Sequence, residues 1–239
     1  LKTGSFSLLY AIISSLAIGL CFVPFFLLSW KKMRRVNTYC ILGIYWLFNG
    51  LVNLPSLALF QSAGARYLLT RLNFYYTLAE APLVLLAFAI ARSGRQRRQV
   101  LVVLLLFISG ELLLIRLKGH NFSSNAVIIG SGLLIILAYC ITGLLQYLKK
   151  MEHTRFEHSM VFVYAALLFA YGSFLIIYIF AHMHPAGAGA SDTDSFLLYY
   201  ISLLLSATIT SAGLWGYGMR RISRGPHPFM IRNYSSSSS

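Results

Sequence analysis

The stretch Arg71-Leu-Asn-Phe-Tyr-Tyr-Thr-Leu-Ala-Glu80-Ala-Pro82 sets a carboxylate inside a segment otherwise built for hydrocarbon. As a helix it brings Asn73, Tyr76, Thr77 and Glu80 to positions i, i+3, i+4 and i+7, one polar stripe on an apolar rod. A carboxyl at mid-bilayer costs roughly 2.5–3.5 kcal/mol on insertion scales. The stripe is therefore expected to face protein or water.

The rest of the chain says which solvent applies. Of 239 residues 58% are hydrophobic and 11% charged, with a mean hydropathy of +0.71, whereas an ordinary soluble domain has about 25% charged residues. Apolar runs long enough to cross a hydrocarbon core of about 30 Å, each needing about 20 residues, recur throughout. The expected fold is an all-α integral membrane protein, a seven-transmembrane-helix bundle occupying 1–219. Its spans are read as about 5–30, 36–60, 67–91, 99–117, 125–148, 158–182 and 194–219. A short basic, Ser-rich tail over 220–239 is expected to be disordered.

Charge orients the bundle. Lys31, Lys32, Arg34 and Arg35, Arg92, Arg95, Arg97 and Arg98, Lys149, Lys150 and Arg155, and Arg220, Arg221, Arg224 and Arg232 fall on one side, fifteen of the twenty basic residues. Only Lys2, Arg66, Arg71, Arg116 and Lys118 fall on the other. By the positive-inside rule the N-terminus is expected outside and the C-terminus in the cytoplasm, in a plasma or bacterial inner membrane. The formal charge of +14 then finds its counter-charge in anionic lipid headgroups. Basic residues divided among four short segments do not make a nucleic-acid surface. The first span is longer than a signal-peptide core and its basic cluster follows it, as in a retained anchor.

Other polar groups gather near the opening stretch. Asn49 and Asn53 lie one turn apart on span two, followed by Pro55, and a short connection should make spans two and three antiparallel neighbours. The amides are expected at the depth of Asn73, facing the Glu80 stripe or bonding neighbouring helices. Pro82 removes a backbone donor just past Glu80. Glu111 on span four either pairs with Arg116, Lys118 or Arg71, or approaches Glu80 as a second acid. Ser202, Ser206 and Thr210 repeat every four residues along span seven and are expected to point inward.

Several chemistries are disfavoured. The last span has no mid-helix lysine for a retinal Schiff base, and histidines fall in loops, at span ends or in the tail, which leaves no intramembrane haem or zinc ligands. No cofactor is expected. A metal site is not expected either; His120, His182 and His184, with Asp192 and Asp194, are weak candidates without fixed ligand spacing. Cys21, Cys40 and Cys140 lie within spans and read as packing residues. Enzymatic activity is not favoured. The leading expectation is a receptor- or sensor-like protein that binds a small ligand around Glu80, Asn73, Tyr76, Thr77, Asn49, Asn53 and Glu111, with a cytoplasmic or membrane protein as partner. The alternatives are a proton-coupled small-solute transporter using Glu80, an intramembrane lipid-acting enzyme using the Glu80/Glu111 pair, and an accessory subunit of a membrane complex.

Overall fold

A computed structural model of the chain describes residues 2–30, 36–56, 63–119, 122–183 and 192–222. Among them are seven α-helices and no strand: α1 (Lys2–Trp30), α2 (Asn37–Asn53), α3 (Ala63–Ala91), α4 (Gly94–Lys118), α5 (Phe122–Lys149), α6 (Arg155–Met183) and α7 (Asp192–Ile222). Six of these, all but α2, are long and apolar enough to cross a membrane. The molecule is a membrane helical bundle.

Local chemistry marks the helix ends. Pro24 and Pro82 sit inside α1 and α3, which continue through them, as membrane helices tolerate. Pro55 acts differently. The span expected to reach residue 60 leaves α-helical geometry at Asn53 and passes into a 3-10 turn, Leu54–Ser56. Pro55 has no N–H to give the Leu51 carbonyl, and the Leu54 N–H takes that carbonyl instead. α6 opens on a capping box: the Thr154 hydroxyl accepts from the Glu157 N–H at 3.2 Å, and Glu157 Oε2 accepts from the Thr154 N–H at 2.8 Å. The junction between α3 and α4 is two residues long and turns on Gly94, whose φ of +58° suits glycine. α7 runs through Ile222, three residues into the stretch read as a tail; 223–239 lie outside the described residues.

Helices α1, α2, α3, α5, α6 and α7 form a closed ring, each packed on the next and α7 on α1. α4 stands outside it, against α3 and α5. The ring is filled by Trp46, Tyr45, Phe88, Tyr171, Leu203 and Cys21, all fully buried. Glycines on α5 and α7 admit large side chains from α6. A Cβ on Gly130 would lie 2.9 Å from the Tyr178 ring, one on Gly143 2.8 Å from Tyr164, and one on Gly213 2.5 Å from Phe162. The hydroxyl line of α7 turns inward: Ser202, Ser206 and Thr210 are fully buried, and Ser206 donates to the Ala166 carbonyl of α6 at 2.8 Å. Outside, α4 shows Leu105, Leu106, Leu112, Leu113 and Leu117 more than half exposed. That is a surface for acyl chains, far too apolar for water.

Candidate functional site

Five helices converge on one cavity of about 440 Å³. α2 contributes Asn49 and Asn53, α3 the stripe Asn73, Tyr76, Thr77 and Glu80, α5 Ile129 and Leu133, α6 Phe174 and Tyr178, and α7 Tyr199. Most come from the part of the helix nearest the α2–α3, α4–α5 and α6–α7 connections, with Thr77 at the middle of α3 and Glu80 just past it. The cavity therefore lies toward the end of the bundle away from the basic connections. Both polar groups expected to face one another, the Asn49/Asn53 pair and the Glu80 stripe, line it.

Glu80 is half-buried, and its Oε1 accepts a 2.9 Å hydrogen bond from the Tyr171 hydroxyl of α6. The fully buried Tyr45 of α2 lies close to Tyr171. Asn49 Nδ2 reaches the Tyr45 oxygen at 3.5 Å, and Asn53 Nδ2 reaches Asn49 Oδ1 at 3.1 Å and the Tyr199 oxygen at 3.0 Å. Amide donors thus link Asn53 to Asn49 and Asn49 to Tyr45, and a separate phenol donor, Tyr171, ends on the carboxylate.

One side of the carboxylate is fixed and the other is open to the cavity. No Lys, Arg or His is among the described residues that line it. The Tyr76 hydroxyl, one turn before Glu80, is buried and has no hydrogen-bond partner among the described residues. Thr77 spends its hydroxyl on the Asn73 carbonyl at 2.9 Å, and Asn73 itself is exposed. The aromatic wall is built by Phe174 and Tyr199, stacked with centroids 5.0 Å apart, and by Tyr178.

Glu111 does not join this group. It is 7% exposed, lies outside the cavity lining, and its Oε1 has no hydrogen-bond partner among the described residues. Pairing with Arg116 is also absent; five residues are about 140° around a helix at 3.6 residues per turn, so the two side chains diverge. Of the metal candidates, His120 and His184 lie outside the described residues, as do the side chains of His182, Asp192 and Asp194; no group of three or more metal-ligating side chains occurs among the described residues. The three cysteines are free, with Cys21 and Cys140 buried.

Tyr171, Tyr45 and Tyr199 were not singled out as site residues by pattern. One signal for the first was present: Tyr164, Tyr171 and Tyr178 fall at strict seven-residue spacing on α6, which keeps them close to one face. No protein-family model, curated protein or solved structure matches the chain.

Proposed function

We propose that the chain is a receptor- or sensor-like seven-span protein whose Glu80 cavity binds a small organic cation, an amine or ammonium group that also carries a hydroxyl or other hydrogen-bonding function. The observation that carries this reading is a carboxylate opening into an aromatic-walled cavity with no basic side chain among its described lining residues. A half-buried carboxylate facing an aromatic cavity is stabilised by a counter-charge. Phe174, Tyr178, Tyr199 and Tyr76 offer π faces suited to a cation, and Asn49, Asn53 and the Tyr76 hydroxyl offer bonds to a polar substituent.

The seventh span in this proposal is α2. Its 17 residues rise about 26 Å, and the 3-10 turn adds about 6 Å. That approaches the hydrocarbon thickness of about 30 Å. With seven spans the basic connections all fall on one face, which the positive-inside rule makes cytoplasmic, and the cavity opens toward the outside. The cytoplasmic face is where a partner would read the ligand-bound state.

The test is thermal unfolding of the purified full chain in detergent against a panel of primary, tertiary and quaternary amines, with isosteric neutral compounds as controls. Stabilisation by a subset of cations, lost in Glu80→Gln, is the expected result. Stabilisation that survives Glu80→Gln unchanged, or none across the panel, removes the reading.

The phenol hydroxyl that Tyr171 gives to Glu80 favours one second reading, a proton-coupled carrier in which Glu80 exchanges a proton with solute. Uptake of an amine into proteoliposomes driven by a pH gradient, absent in Glu80→Gln, separates carrier from receptor. The lipid-acting pair of acids has no such support, because Glu111 lies apart from the cavity.

A further inference from the structure

A second cavity, of about 340 Å³, lies at the opposite end of the bundle between the α3–α4 junction and the α5–α6 connection. Its walls include Arg92, Ser93, Gln96, Lys150, His153 and Glu157. Where the Glu80 cavity presents an anion, this one presents donors.

Among these side chains Arg92 carries a buried donor with no partner among the described residues. Its guanidinium lies 5.3 Å from the centre of the Tyr139 ring, Nη2 reaches Thr142 Oγ1 at a long 3.5 Å, and Tyr164 lines the cavity with it. Its Nε is buried and has no hydrogen-bond partner among the described residues, and no carboxylate pairs with it there. A buried donor on a charged group, left unmade, is costly. The α4 N-terminus adds more. Ser93 occupies the N-cap position in extended geometry, yet its side chain caps nothing, and the first turn, Gly94-Arg-Gln-Arg, contains no acid. The first-turn N–H groups carry the positive end of the helix dipole. Lys150 supplies a second cation; it bonds Glu157 at 2.6 Å with half of its side chain exposed. Glu157 is the one acid among the lining residues, and it is already held by both Lys150 and the Thr154 N–H.

A guanidinium Nε, a serine hydroxyl, a carboxamide, an uncapped helix start and an ammonium group, set around one small space, call for a compact ligand with several strong acceptors and negative charge. A phosphate group has those properties, and planar guanidinium donors with helix N-termini are its usual partners. We propose that this cavity binds a phosphate monoester, held by Arg92, Ser93, Lys150 and the first turn of α4. Two sources share that chemistry, a phospholipid headgroup entering from the bilayer and a soluble phosphate compound. The Glu80 cavity plays no part in it.

The experiment is thermal unfolding of the full chain in detergent with three probes: dioctanoyl phosphatidic acid, dioctanoyl phosphatidylcholine and glycerol 3-phosphate. Phosphatidic acid is expected to raise the midpoint by several degrees, saturably, and phosphatidylcholine to leave it unchanged. An equal saturable rise with glycerol 3-phosphate assigns the site to soluble phosphates; a rise with phosphatidic acid alone assigns it to lipid. Arg92→Gln is expected to weaken the effect at least ten-fold. Ser93→Asp separates binding from folding, since a carboxylate at the N-cap favours the helix and repels phosphate. It should keep the basal midpoint and lose the shift. Arg97→Gln, on exposed α4 surface outside the lining, should keep it. No shift with either phosphate compound, an equal shift with phosphatidylcholine, or a shift undiminished in both Arg92→Gln and Ser93→Asp overturns the proposal.

Discussion

The two cavities lie toward opposite ends of the same helices and are built on opposite charges. Arg92 lies twelve residues past Glu80, just beyond the end of α3, and α6 sets a tyrosine near each: Tyr171 donates to Glu80, while Tyr164 lines the same cavity as Arg92. A phenol hydroxyl can donate or accept, so one residue type at seven-residue spacing suits both an anion and a cation. The difference is in what remains unmade. Around Glu80 an acceptor opens to space with no described cation nearby, whereas around Arg92 a donor is left over beside an uncapped helix. An unpaired group points to a ligand of complementary sign, and the two ends point to different ligands.

The comparison is broken most severely by Glu80→Gln. Truncating one member of a desolvated charge pair costs 2–5 kcal/mol, so a cation held at Glu80 should bind about 100-fold more weakly. The phosphate-dependent shift at the other end should be untouched. Isothermal titration or ligand-dependent unfolding measures both in one preparation, and a coupled loss at both ends would mean that the cavities are not independent. Tyr171→Phe comes next. It removes the donor that fixes the carboxylate, a loss of about 1.5–3 kcal/mol for a hydrogen bond to a charged group. Denaturant unfolding should show it as a lower midpoint at constant slope.

A pair of alanine substitutions on α5 sharpens the contrast further. In Gly130→Ala the new Cβ meets the far end of Tyr178, and in Gly143→Ala it meets the Tyr164 ring, both below 3.0 Å. Each ring must shift. The first should weaken amine binding several-fold and leave phosphate binding alone; the second should do the reverse, by drawing Tyr164 away from Arg92. Overpacking of this kind costs about 1–3 kcal/mol of stability, so affinity and unfolding are to be measured together. Equal effects on both ligands would show that the two rings do not act locally.

How much of this was legible in the sequence depends on whether the signal is local. The Asn73–Glu80 stripe was visible because i+3 and i+4 spacing of polar groups on an apolar helix identifies a face without knowledge of its neighbours. The Asn49/Asn53 pair, the Glu80 stripe and the buried hydroxyl line of α7 followed from the same rule. Tyr171 did not, because a tyrosine in a membrane helix is ordinary and its partner lies on another helix, 91 positions away. Arg92 was counted with the orienting charges, since a basic residue at a span end has an interfacial explanation. Its unpaired nitrogen arises only when α3 packs near α5 and α6. Glu111 was matched to Arg116 by distance along the chain, when the angle around the helix decides; the Lys118 side chain lies outside the described residues. Span two was read as one helix from 36 to 60, whereas the α-helix gives way at Asn53 to a 3-10 turn at Pro55; 57–60 lie outside the described residues.

Thr154 offers the smallest expected effect and a clean control on the basic cavity. The sequence Thr154-Arg-Phe-Glu157 forms a reciprocal capping box, and Glu157 also holds Lys150 at the cavity wall. Thr154→Ala removes the hydroxyl that accepts from the Glu157 N–H and should cost about 1 kcal/mol. It leaves the Thr154 N–H in place, so Glu157 Oε2 keeps that bond, and Lys150 keeps its partner. Stability should fall slightly while the phosphate-dependent shift is preserved. Thr154→Pro takes away the N–H instead, freeing Glu157 from the backbone. If Lys150 is shared between Glu157 and phosphate, that variant should change the phosphate affinity by a larger factor than Thr154→Ala does. Identical affinities in the two variants would confine Glu157 to capping α6.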